Sequence, residues 1–139
     1  MELTATFTTA LLPDDLELLS RPVTYLSLAA QALDAHPHDV VAYVDMTGEW
    51  AVNHPHERVF WQVDRVSGLY TAAFRSEHQR ILAQSGDHRR IEWGTAFLAV
   101  AEDEGEVIVG DVDHCRDTFA REGRLSADYL RAPQPRKVD

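Results

Sequence analysis

The segment ERVFWQVDRVSGLYTAAFRSEHQRIL, residues 57–82, decides the fold. Val59, Val63, Val66, Tyr70, Ala73 and Phe74, then Ile81, follow one another at helical spacing, and Phe60, Leu69 and Leu82 widen the stripe. This pattern predicts a long helix from His56 to Ser85. Trp61 and Ala72 add apolar area away from the centre of that stripe, as a helix covered by its own sheet on one side and a partner on the other requires. Trp61, Arg65, Leu69 and Ala72 are therefore the expected partner or dimer interface on its outer face.

Upstream lies HPHDVVAYVDMTGEWAVNHPH, residues 36–56, with the same tripeptide at each end. Val40 to Asp45 and Glu49 to Asn53 are two β-rich runs around Met46-Thr47-Gly48, which predicts a hairpin closing on a glycine bulge. If Asp45 faces Glu49, the register sets His38 opposite His56, with Cβ atoms about 5 Å apart. Two imidazoles so placed suit Zn²⁺, Ni²⁺ or Cu²⁺, with His36 or His54 as a third ligand. The competing reading is plain loop chemistry, since Pro37 and Pro55 interrupt strand geometry before the histidines are reached.

Further towards the N-terminus, Leu3 to Thr9 alternates as a short edge strand. Leu16, Leu19, Val23, Leu26, Ala30 and Leu33 then predict helix from Asp14 to Ala35, broken by Pro22 near Ser20. Downstream, Ser85-Gly86-Asp87 stops the long helix, and Ile91 to Val100 with Glu106 to Val112 form a second hairpin around Glu102-Asp103-Glu104-Gly105. Asp111, Asp113, His114, Cys115 and Asp117 are metal-compatible types, but a strand end followed by a helix capped by Asp113 explains them more simply. Ser126 is expected to cap a last turn carrying Tyr129 and Leu130. Residues 1–131 then form a single domain, with a disordered tail over 132–139.

The chain of 139 residues carries a formal charge of −10, from 23 acidic and 13 basic residues. Such a field repels polyanions, so nucleic acid is not an expected partner. A single cysteine, Cys115, rules out an intramolecular disulfide and suits a reducing compartment. No apolar run approaches the roughly 20 residues a membrane helix needs, so no membrane contact and a cytoplasmic location are expected. Phosphate loop, dinucleotide fingerprint, nucleophile elbow and zinc-protease motif are all missing, and neither cofactor nor catalytic residue is predicted.

The fold class expected is α/β of the α+β type, with one small mixed or antiparallel sheet of about five strands packed on a long central helix. The order of elements, with VVAYVDMTGEWAV as a first hairpin carrying an Asp-x-x-Gly turn and TAFLAVAEDEGEVIVGDV as a second, resembles the roadblock/dynein light chain family over residues 20–125. Two features depart from it: the strand at Leu3 to Thr9, and the lone Gly94 where a further strand and turn belong. The resemblance implies a roadblock-like homodimer that acts without catalysis as a regulator or scaffold, with a small Ras-like GTPase as protein partner. A secretion-chaperone-like adaptor for a client protein, and a metal-binding protein or enzyme using the His-Pro-His pairs, are the alternatives.

Overall fold

The computed structural model describes residues 1–83, 85–86, 93–125 and 136–137. It divides into two compact units, Met1–Ala42 and Tyr43–Asp139, each described by itself below.

In the first unit, strand β1 (Glu2–Thr9) pairs antiparallel with β2 (Thr24–Gln31), from Glu2 opposite Gln31 to Thr9 opposite Thr24. The expected first strand is present. The expected helix to Ala35 is not: only α1 (Leu16–Leu19) forms, started by the Asp15 carboxylate accepting from the Leu18 N–H at 2.9 Å. Pro22 disfavours helical backbone at Arg21 and ends it. Beyond it, Leu26, Leu28 and Ala30 alternate, and the apolar Leu3, Ala5 and Phe7 opposite them select the strand.

In the second unit, β3 (Arg58–Val66) and β4 (Leu69–Ser76) form a hairpin that continues into β5 (Ala96–Ala101), all antiparallel. A two-residue strand β6 (Arg136–Lys137) pairs with Arg58 and Val59, giving the order β5-β4-β3-β6. The long helix expected over His56 to Ser85 is thus a hairpin. Ser67 and Gly68 have φ of 51° and 82°, the pair of left-handed residues that a two-residue hairpin turn needs to match the twist of its strands. Val59, Trp61 and Val63 also alternate with Phe60, Gln62 and Asp64, and these β-branched and aromatic residues favour a pleated surface.

The core sits on one face of this sheet. Ala72 (1% exposed), Val107 and Val109 form its centre, with Trp61, Val63, Tyr70, Phe74 and Val100 packed around them. The first hairpin expected around Met46-Thr47-Gly48 is absent. Residues 40–47 pair with no strand, and Gly48–Ala51 is one 3-10 turn whose Gly48 lies against Val59 and Phe74. Burial of Ala51 and Val52 explains the difference, because the segment covers the β3–β4 sheet instead of pairing with itself.

The second hairpin is half formed. Glu104 and Gly105 N–H groups close a turn on the Ala101 carbonyl at 3.0 and 3.2 Å, but residues 106–110 pack over the sheet through Val107 and Val109 rather than pairing. Helix α2 (Val112–Glu122) follows, buries Cys115 and Thr118, and ends at Gly123 with φ of 66°. Its cap is Asp111, not Asp113: the Asp111 carboxylate accepts from the His114 N–H at 2.9 Å. Residues 91–92 of the expected strand, the turn at Ser126, and 132–135 and 138–139 of the expected tail lie outside the described residues. Among the described residues the architecture is α/β with two small antiparallel sheets and no long central helix. No helix among the described residues is long and apolar enough to cross a membrane.

Candidate functional site

His36 and His38 lie in the first unit and His54 and His56 in the second. His38 Nε2 lies 2.8 Å from Asp34 Oδ1, and the His36 N–H donates to the same oxygen at 3.3 Å. His54 Nε2 contacts the Asn53 side-chain nitrogen at 3.2 Å, and its backbone N–H donates to Glu57 at 2.9 Å. Opposition of His38 and His56 rested on a hairpin that does not form, and the two tripeptides fall in different units. Among the described residues, no group of three or more His, Cys, Asp or Glu side chains is placed to hold a metal.

The residues expected on an outer helix face sit on strands. Trp61, Arg65 and Ala72 share the covered face of the sheet, because Trp61 opposes Phe74, Val63 opposes Ala72 and Arg65 opposes Tyr70. Ala72 is core, and Trp61 is half-buried with an Nε1 that finds no hydrogen-bond partner among the described residues. Leu69 alone points to the other face, opposite Val66, and is exposed. Arg65 holds both Glu102 carboxylate oxygens and lies 5.9 Å from the centre of the Tyr70 ring. An open cavity of about 320 Å³ beside them is lined by Val63, Asp64, Arg65, Tyr70, Glu106 and Val107. Its arginine is already committed to Glu102, so the cavity offers no unengaged cation to an anionic ligand.

A second polar cluster ties the segment before the 3-10 turn to α2. Arg116 donates from Nε and Nη2 to the two Asp45 oxygens at 2.7 and 2.9 Å. Those bonds hold the Asp45 carboxyl below its ordinary range, against the opposing effect of burial. The Tyr43 hydroxyl is pushed up to about 12, by burial first and by the Asp45 charge second, and its ring packs on Phe119 with centroids 5.0 Å apart. A phenol shifted in that direction stays protonated at neutral pH and is no base. The cluster is a structural brace.

The most unusual surface belongs to the β1–β2 ribbon. Its register and the two-residue period place Leu3, Ala5, Phe7, Leu26, Leu28 and Ala30 on one face. Glu2, Thr4, Thr6, Thr8, Tyr25, Ser27 and Gln31 occupy the other, with Ala29 among them. Every residue of both strands is exposed, Phe7 at 72% and Leu3 at 60%. Two-stranded ribbons are marginal in water without a layer over their apolar face, which makes this face a candidate contact surface. The alternation in LTATF and YLSLA was the available signal. It was masked in the second strand by leucines that also fit a helix.

The model of a domain family described as a domain of unknown function, DUF5127, matches residues 1–137. The chain belongs to the DUF5127 family. This finding, with the replacement of the long helix by a hairpin, overturns the resemblance to the roadblock/dynein light chain family. The DUF5127 chain is also similar to glutaminase A of Aspergillus oryzae (strain ATCC 42149 / RIB 40), at 28% identity over 128 residues. That match covers 91% of this chain and 18% of the relative, so the DUF5127 chain spans under a fifth of the relative's length. No solved structure matches it.

Proposed function

We propose that this DUF5127 chain is a non-catalytic, protein-binding module that docks onto a separate polypeptide of the glutaminase A type. The observation that carries the proposal is the exposed apolar face of the β1–β2 ribbon. Eight residues at about 3.3 Å each and two strands about 4.8 Å apart give that face roughly 260 Å². A stable two-body contact takes about 800 Å² from each partner, so two ribbons facing each other fall well short. A large partner that extends the contact beyond the ribbon fits better, and the matched segment is only 18% of the relative, leaving most of that polypeptide to supply such a surface.

The polar clusters support the same reading. Arg65 with Glu102, and Arg116 with Asp45, are engaged in bidentate pairs that fix backbone segments, which leaves them unsuited to hold a substrate. Any glutaminase activity then belongs to the assembly and resides outside this chain. The test is replacement of Phe7 by a photo-crosslinking phenylalanine in the producing cells. Cross-links to a polypeptide region of glutaminase A type, together with no glutamine hydrolysis by residues 1–139 alone, are expected. Cross-links confined to residues 1–139, or hydrolysis by them alone, overturn the proposal.

A further inference from the structure

We infer that the partner meets this chain with a β-strand laid along the outer edge of β2, so that the ribbon and the added strand form one sheet. The inference rests on the docking reading above and specifies its geometry. Among the described residues the first sheet consists of β1 and β2 alone, so each strand has one edge whose N–H and C=O groups have no ladder partner. The pairing runs over eight consecutive positions, from Glu2 with Gln31 to Thr9 with Thr24, with no bulge that would twist either edge away. Long edges of this kind, unbroken by a bulge, are ready templates for a further strand unless charge, proline or irregularity blocks them.

The two edges differ. β1 opens on Glu2, whereas Thr24–Gln31 contains no charged residue, no proline and no glycine, so β2 carries none of the usual blocks. A charge-free edge also suits a chain whose net charge is −10, because pairing there sets none of the chain's own acids opposite the added strand.

A covering helix serves this surface less well. A helix with its side chains is about 10–12 Å across, close to the width of a two-stranded ribbon, so it would dry the edge amides while its own backbone groups are already used. A strand both extends the apolar layer of Leu3, Phe7, Leu26 and Leu28 and pairs with the edge. The proposed contact is therefore a sheet completed by main-chain hydrogen bonds, with the apolar face as its buried side.

The experiment uses the complex of this protein with the glutaminase-A-type polypeptide recovered from its own cells, in two measurements. Residue-resolved amide exchange compares residues 1–139 alone with the complex, and Phe7→Lys is scored for loss of binding. Expected is a slowing of at least about 100-fold at every second amide of Thr24–Gln31, the set directed away from β1, together with loss of binding in Phe7→Lys. If Phe7→Lys abolishes binding while those amides exchange equally fast in both states, strand addition is overturned and docking through the apolar face stands. If Phe7→Lys binds like the unaltered protein, the docking reading itself fails, and this inference fails with it.

Discussion

Replacing Gly68 by alanine separates hairpin from helix by the sign of a stability change. In the structure Gly68 has φ of 82°, and a Cβ built there meets no atom within 4 Å, so the substitution introduces backbone strain and no clash. Left-handed backbone costs a residue with a Cβ roughly 1–2 kcal/mol. The accompanying loss of unfolded-state freedom returns up to about 1 kcal/mol where the native backbone is compatible, which here it is not. A net destabilisation of about 1 kcal/mol follows, or a fall of roughly 3–6 °C in melting temperature for a domain of this size. Were residues 56–85 a helix, the same change would remove a helix breaker and stabilise by about 0.8–1 kcal/mol. Urea unfolding followed by circular dichroism reads the difference directly. Gly68→Asn is the control, since asparagine tolerates left-handed backbone better than alanine and should lose less. A Gly68→Ala protein more stable than its parent would refute the hairpin and every assignment of faces built on it.

The Asp45 carboxyl is depressed below its ordinary 3.8, so its contribution is fully present above that value and is lost as pH falls through the folded-state pKa. Urea midpoints at pH 6 and pH 3 should therefore drop further for the parent than for Asp45→Asn, and equal drops would contradict the brace. Tyr43 behaves oppositely: with its hydroxyl raised from 10.0 to about 12, its stabilisation is complete below pH 10 and lost between the two values. Phenolate absorbance should show one tyrosine ionising late, and Tyr43→Phe should remove that step. Ala72, at 1% exposure under Val107 and Val109, has no room for a larger side chain. Ala72→Leu should cost about 1–3 kcal/mol in thermal unfolding, and an unchanged midpoint would show that the core is not packed there.

The fold was legible in the sequence where one pattern had one solution. Leu3 to Thr9 alternates without helical recurrence, and Glu102 to Gly105 is turn chemistry between two β-rich runs; both are found in place. It was ambiguous where an apolar set satisfied two periods. Val59, Val63, Val66, Tyr70 and Phe74 fit a helical stripe, yet Val59 and Val63 also alternate with Phe60 and Gln62, and the return of Val107 and Val109 over Ala72 helps to bury one face of the strand solution. That return lies about forty positions downstream, beyond the reach of local periodicity. Ser67-Gly68 was the local clue, a two-residue turn inside an apparent helix.

Residues 40–47 depart from the expected hairpin for a related reason. Their β-rich composition suits pairing, but Asp45 is held by Arg116 and the following turn is drawn onto Val59. Of the candidate site, the histidine tripeptides were conspicuous, but the hairpin expected to oppose them does not form. The ribbon face was written in alternation, and half of it was lost to a competing helical reading of Leu26 and Ala30.

The Asp45–Arg116 pair also orders the folding of the second unit in time. The two residues stand 71 positions apart, whereas β3 and β4 meet across the two residues Ser67 and Gly68. Closing the longer loop costs roughly 3 kcal/mol more chain entropy than closing the hairpin, on a logarithmic dependence of closure entropy on length. The hairpin is therefore the early event, and the strap that ends in the 3-10 turn is fastened last. On the ribosome, that clasp must wait for a helix made after everything it encloses. In a chevron, Asp45→Asn should accordingly accelerate unfolding and leave the refolding limb nearly untouched.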